Sequence, residues 1–188
     1  MAVEPVGRSR DRAGTTDVTD VVRRHLRDIP DFPEPGVVFK DFTPLLSDPT
    51  AMGAVVRDVA DRWRGNAEVV AGIEARGFIL GAAVAYELGV GFVPVRKAGK
   101  LPGPTHRTEY DLEYGSAAIE VHTDAFAAGE RVLVLDDVLA TGGTAAATCA
   151  LLERTGAVVA GFEAVIELGF LHGRDRLHGR RLHTMLVV

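Results

Sequence analysis

Apolar residues first recur at helical spacing at Val18, Val21, Val22 and Leu26, directly behind Thr16 and Asp17. Small polar caps ahead of such a stripe predict a short amphipathic helix. Pro30, Pro33, Pro35 and Gly36 then forbid helix, and the irregular segment they impose ends in the extended stretch Val37, Val38, Phe39. A second stripe, Met52, Val55, Val56, Val59, Ala60 and Trp63, follows Asp48 and Pro49. An N-cap followed by a first-turn proline predicts a helix there.

Beyond this helix strands and helices alternate. Val69 to Ile73 and Phe92 to Val95 read as strands around a helix from about Phe78 to Leu88, a β-α-β unit. Arg131 to Leu135 is an apolar run of the kind buried on both faces of a parallel sheet, with a helix from about Gly143 to Thr155 behind it. Further strands are expected at about Ala117 to Val121, Ala157 to Ile166 and Leu182 to Val188, with a short helix near Leu171 to Leu177. The pattern is α/β, a doubly wound and mostly parallel sheet. The stretch Arg96 to Gly115 breaks it, being polar and of little periodicity, with two prolines and three glycines. It reads as a long excursion from the core, and loops of that length are usually functional.

At 188 residues the chain is expected to hold a polar tail, 1–16, and one domain, 17–188. Lys and Arg number 21 against 26 Asp and Glu, a formal charge of -5 that offers no global attraction for nucleic acid. An anionic ligand has to be held locally. The single cysteine, Cys149, leaves no intrachain disulfide and no multi-cysteine zinc site, and suits a reducing cytoplasm. The charge-free run Gly77 to Tyr86 is about half the ~20 residues of a membrane span, and no apolar stretch near the N-terminus reads as a secretory signal. No membrane partner is expected. Histidines 25, 106, 122, 172, 178 and 183 lack metal-ligand spacing and read as surface or structural, with His106 alone in the excursion.

The densest chemistry follows the apolar run: Asp136 and Asp137, then Val138, Leu139, Ala140, Thr141, Gly142, Gly143, Thr144 and a helix. Ligands of open α/β sheets bind beyond the carboxyl ends of strands, where free N–H groups of a helix start receive phosphate. Gly142 and Gly143 let backbone approach, Thr141 and Thr144 add hydroxyls, and the two carboxylates accept from a sugar diol or a metal-bound water. A phosphorylated sugar satisfies both halves, although a plain strand-to-helix turn with two solvated acids has the same composition. Arg76, Arg96, Lys97 and Lys100 cluster after the first two sheet strands, as a diphosphate site or as a solvated basic loop.

Two acids followed by Ala140-Thr141-Gly142-Gly143-Thr144 resemble the phosphoribosyl pyrophosphate loop of the type I phosphoribosyltransferases. Asp31-Phe32-Pro33, Pro35 to Asp41, Glu74 to Phe78, Arg96 to Gly103 and Leu112 to Gly115 narrow the resemblance to the adenine phosphoribosyltransferase family, in order from about residue 17 onward. The resemblance implies Mg²⁺-dependent conversion of adenine and phosphoribosyl pyrophosphate to AMP and diphosphate, by a homodimer, in purine salvage. It assigns ribose and 5′-phosphate to Asp136, Asp137 and Ala140 to Thr144, with Mg²⁺ carried by substrate near the two acids rather than by a direct protein site. It assigns diphosphate to Arg76, Arg96, Lys97, Lys100 and a cis Glu74–Ala75 bond.

By the same resemblance, adenine meets Val38, Phe39, Lys40 and Leu168, and Glu113 takes the proton that adenine loses. Plain core packing also accounts for Phe39 and Leu168. A flexible hood, about 97–115 and carrying Tyr110 and Tyr114, closes over the substrates. Lys40 departs from the arginine of many relatives. Relatives acting on 6-oxopurines carry an acid at the place of Ala140, which argues for adenine. A transferase for another base and a nucleotide-sensing regulator remain as alternatives, and the second lacks room for a DNA-binding domain ahead of the pocket segment.

Overall fold

The Asp48 carboxylate accepts the backbone N–H groups of Thr50 and Ala51, and behind that cap helix α3, Pro49–Trp63, runs as its stripe predicts. In a computed structural model, which describes residues 17–32, 34–111 and 116–188, α3 follows α1 (Val18–Arg24), β1 (Arg27–Pro30), β2 (Val38–Asp41) and α2 (Thr43–Ser47). Next come β3 (Val69–Ile73), α4 (Arg76–Leu88), β4 (Gly91–Lys97), β5 (Thr105–Asp111), β6 (Ser116–His122), β7 (Arg131–Leu139) and α5 (Gly143–Arg154). The chain closes with β8 (Val158–Glu167), two 3-10 turns (Gly169–Leu171 and Gly173–Leu177) and β9 (Leu182–Val187).

Seven strands form one sheet in the order β5-β6-β4-β3-β7-β8-β9, and β1 pairs with β2 in a small antiparallel sheet. From β4 to β9 neighbouring strands are parallel, while β6 runs antiparallel to β4 and to β5. Side chains alternate between two cores, as the pleat requires. Val70, Leu133, Leu135 and Val165 join α1 to α4, with Trp63, Phe42 and Leu45 fully buried. Val69, Ala71, Ile73, Val132 and Val134 join α5 and Leu177 on the opposite face. The sheet is thus covered on both sides, as a parallel sheet must be. Cys149 lies in the second core, where burial pushes its thiol up to about 11.

Buried Glu163 ties α3 to the sheet. Trp63 Nε1 donates to it at 2.8 Å, His183 Nδ1 lies 2.8 Å away, and Arg62 Nε is at 3.5 Å. His25 has a similar joining role, with its nitrogens 2.8 Å from Val21 O and 3.1 Å from Asp48 Oδ2.

The structure corrects four expectations. The excursion is not structureless: Thr105–Asp111 is strand β5, paired along β6 from Thr105↔His122 to Asp111↔Ser116. Strand β7 does not stop at Leu135 but continues through both acids, pairing Asp136 with Ala164 and Leu139 with Glu167. The short helix after Leu168 is two 3-10 turns, and β1 and α2 are additional elements.

Candidate active site

Because β3, β4, β7 and β8 are parallel, their carboxyl ends lie along one rim of the sheet. Strand β3 leads through Glu74 and Ala75, joined by a cis peptide bond, into Arg76, the first residue of α4. Strand β4 ends at Lys97, and β7 carries Asp136 and Asp137 before the loop into α5. Gly142 is left-handed, with φ 77°, and, lacking a side chain, leaves the helix that starts behind it without an N-cap bond. Such an uncapped start suits an anion.

Two cavities open on this rim. One of about 70 Å³ is lined by Asp136 and by Val138 to Ala145. The other, about 140 Å³, lies among Glu74, Lys97, Tyr110, Asp136, Asp137 and Thr144. The Thr144 hydroxyl donates to Tyr110 Oη at 3.1 Å, so the excursion's strand reaches across to the loop.

Burial pushes the Asp136 carboxyl well above the usual carboxylate range, and the neighbouring Asp137 charge raises it further, against a smaller opposing effect of Arg76. The Asp137 N–H donates to Asp136 Oδ1 at 2.9 Å. Asp137 Oδ2 is buried and 3.1 Å from Arg76 Nε, yet among the described residues it accepts no aligned hydrogen bond. That leaves an ion pair with unused acceptor capacity. The Arg76 guanidinium also lies over the Phe39 ring at 5.2 Å and the Phe42 ring at 5.6 Å.

Glu74 Oε2 accepts the Lys97 N–H at 3.0 Å and Arg96 Nε at 3.3 Å, and Arg96 also donates to Lys100 O at 2.9 Å. Arg96 is thereby held by protein groups, whereas Lys97 borders the larger cavity. Lys100 is exposed and lines neither cavity. Its N–H instead donates to Glu120 at 2.9 Å, as does that of Leu101 at 2.8 Å. Burial alone raises the Glu120 pKa, but backbone donors at Leu101, Gly99 and Lys100 outweigh it and hold this carboxyl below the usual range. Sequence reasoning passed over Glu120, whose one signal is a lone charge inside the apolar strand Ala117 to Val121.

On the β1–β2 side Phe39 meets Phe32 edge to face, at 5.3 Å and 74°, and Val38 is exposed. The Lys40 ammonium is taken up by Asp28 at 2.8 and 2.9 Å. Leu168 is partly buried and its N–H donates to Leu139 O at 2.9 Å, beside the loop of Ala140 and Thr141. Of the expected residues, Glu113 and Tyr114 lie outside the described ones, as do 1–16. Among the described residues no group of three or more His, Cys, Asp or Glu is arranged to hold a metal ion, and no helix is long and apolar enough to cross a membrane.

A sheet that ends in paired acids, with an uncapped helix start and a facing arginine, suits a sugar phosphate, and the family described as phosphoribosyl transferase domain matches residues 50–186. The chain is a phosphoribosyltransferase. It is 60% identical over 172 residues to the adenine phosphoribosyltransferase of Frankia casuarinae, covering 91% of this chain and 92% of that relative. The chain belongs to the adenine phosphoribosyltransferase family. The crystal structure of the Thermoanaerobacter pseudethanolicus adenine phosphoribosyltransferase superimposes with a TM-score of 0.87 at 44% identity, covering 90% of this chain and 99% of that one. That of Saccharomyces cerevisiae, complexed with an imino-altritol bisphosphate and adenine, gives 0.86 at 37% identity over 90% and 98%.

Proposed function

We propose that this protein transfers the phosphoribosyl group of phosphoribosyl pyrophosphate to adenine, releasing diphosphate and giving AMP, in purine salvage. The observation that carries this reading is the Asp136–Asp137 pair in front of the uncapped α5, with Arg76 Nε 3.1 Å from Asp137. In the reaction a ring nitrogen of adenine bonds to the anomeric carbon as the bond to diphosphate breaks, and the nitrogen loses its proton. Catalysis rests on positioning both partners and stabilising the leaving anion.

The backbone from Ala140 to Thr144 and the hydroxyls of Thr141 and Thr144 receive the 5′-phosphate. Asp136 and Asp137 accept from the ribose hydroxyls. Arg76, Lys97 and the Glu74–Ala75 backbone face the diphosphate, and the family resemblance adds Arg96 and Lys100. Phe39 and Leu168 enclose the base, with Lys40 alongside, and a backbone acceptor at Val38 takes its amino group. Pro30, paired opposite Val38, has no N–H with which to engage it. Glu113 receives the adenine proton, a role that rests on the family resemblance. Tyr110 and Tyr114 belong to the hood that excludes water from the activated sugar.

The acids also fit a hydrated Mg²⁺ brought by the substrate, since Asp137 Oδ2 is buried without a hydrogen-bond donor among the described residues. When bound, that ion supplies positive charge against the departing diphosphate. A homodimer, a cytoplasmic setting and a single domain over 17–188 complete the proposal, supported by family membership and, for the setting, by a lone buried Cys149.

The test is a competition assay with phosphoribosyl pyrophosphate and Mg²⁺, offering adenine, guanine, hypoxanthine, xanthine, orotate and uracil at equal concentration. AMP as the only nucleotide is the expected product. A different nucleotide overturns the base assignment, and no nucleotide overturns the enzyme.

A further inference from the structure

Glu167, the last residue of β8, is 2% exposed and lines neither cavity of the rim. Its carboxylate is nevertheless fully occupied. Arg174 grips it with one edge of its guanidinium, Nε to Oε1 at 2.7 Å and a terminal nitrogen to Oε2 at 2.6 Å, and the Thr184 hydroxyl donates at 2.8 Å. A two-bond grip of this kind fixes orientation as well as distance.

The grip closes a short stretch of chain, 168–173, that touches the phosphate loop at both ends. At its start the Leu168 N–H donates to Leu139 O at 2.9 Å. At its end, behind His172 in left-handed backbone at φ 52°, Gly173 lies flat against the loop. A Cβ on Gly173 would stand 2.0 Å from Ala140 O and 2.9 Å from Gly142 N, and a Cβ on Gly142 would stand 2.2 Å from Gly173 O. Two backbones in that proximity move together. Arg174 is the next residue along.

We propose that Glu167 and Arg174 are positioning residues, a brace that presses Gly173 against Ala140 and Gly142 and so sets the shape of the phosphate loop. The brace also fixes Leu168, so one strut orients the sugar-phosphate side and the base side together. This inference rests on the proposed reaction for its kinetic consequences but not for its structural one. Loosening the brace raises the KM of both substrates in parallel, because neither residue touches a reacting atom and both act through the same six residues.

The experiment compares wild type with Arg174→Gln, Arg174→Lys and Thr184→Val. Arg174 is half exposed, so its replacement opens no core cavity. Hydrogen exchange of the 139–144 amides reads the loop directly, and steady-state kinetics reads both KM values and kcat. Arg174→Gln is expected to speed exchange and to raise each KM by about tenfold, with kcat changed less, as expected for a sub-ångström misplacement. Lysine, which cannot reproduce the two-bond grip, recovers only part of this, and Thr184→Val gives a smaller shift in the same direction.

Exchange and both KM values within twofold of wild type overturn the brace, even if the melting temperature falls. A rise in one KM alone overturns the coupling of the two sides. Wild-type protein that forms no AMP overturns the reaction instead, and in that case the exchange rates alone decide the brace.

Discussion

Gly77 stands in the first turn of α4, where a Cβ would lie 2.8 Å from Leu135 O, 3.2 Å from Asp136 Oδ1 and 3.3 Å from Asp136 Cα. Backbone of a central strand cannot swing aside, so in Gly77→Ala the start of α4 must withdraw by roughly 0.7 Å to regain contact near 3.5 Å. Overpacking of this kind costs about 1–3 kcal/mol. At about 2–4 °C per kcal/mol for a chain of this size, melting falls by about 2–12 °C. Arg76 precedes Gly77 and travels with it, away from the Asp137 oxygen now 3.1 Å from its Nε. Since a 1 Å displacement costs up to about 100-fold, kcat/KM for phosphoribosyl pyrophosphate is expected to fall on the order of tenfold. Gly53→Ala is the control. Its Cβ would meet only the end of the Arg57 side chain, at 3.0 Å, and alanine inside a helix gains about 0.5–1 kcal/mol over glycine. Thermal melts and initial rates over a range of substrate concentration test both variants. Wild-type melting and kcat/KM in Gly77→Ala would refute the claim that α4 is seated on β7 through this glycine.

Asp136→Asn should raise the melting temperature near neutral pH. Asp136 has a raised value in the fold, so its ionisation weakens the fold as pH climbs from the unfolded value of about 3.9 through the folded one; the gain from asparagine therefore vanishes below about pH 4, and a gain that grows in acid contradicts the sign. Trp63→Phe removes the donor to buried Glu163 and should cost about 1–3 kcal/mol, read from the urea midpoint, and an unchanged midpoint would mean that Glu163 finds another donor. Glu113→Gln should lower turnover by about 10²–10⁴ while calorimetric binding of phosphoribosyl pyrophosphate persists, and unchanged turnover would remove Glu113 from the mechanism.

The elements legible in sequence are those whose signals are local. Asp48, Pro49 and the stripe to Trp63 specify α3 without reference to the rest of the chain, and Val69 to Ile73 is apolar enough to require a central strand. Asp136 and Asp137 misled because charge usually ends a buried run, whereas pairing with Ala164 to Glu167 carries β7 on to Leu139. Strand β5 has no apolar alternation and exists through its pairing with β6 at the sheet edge, where polar side chains face solvent. The phosphate loop, Arg76 and the cis Glu74–Ala75 bond were expected, the last by resemblance alone. Glu120, Glu167 and Arg174 escaped notice because their partners are backbone groups or residues brought near by the fold, and no spacing announces them.

The parallel order of the central strands also orders events in time. Arg76 belongs to a β-α-β unit whose strands β3 and β4 are near neighbours in the chain, so that unit is expected to form early. Asp137 arrives on β7, which pairs Val132 with Val69 across the whole β4 to β6 excursion. Such distant parallel pairing is slow, and chains emerge from synthesis N-terminus first. The guanidinium is therefore expected to wait without its carboxylate until the middle of the sheet is filled. Regain of activity is then expected to mark the completion of the sheet, together with the burial of Trp63, whose partner Glu163 arrives on β8.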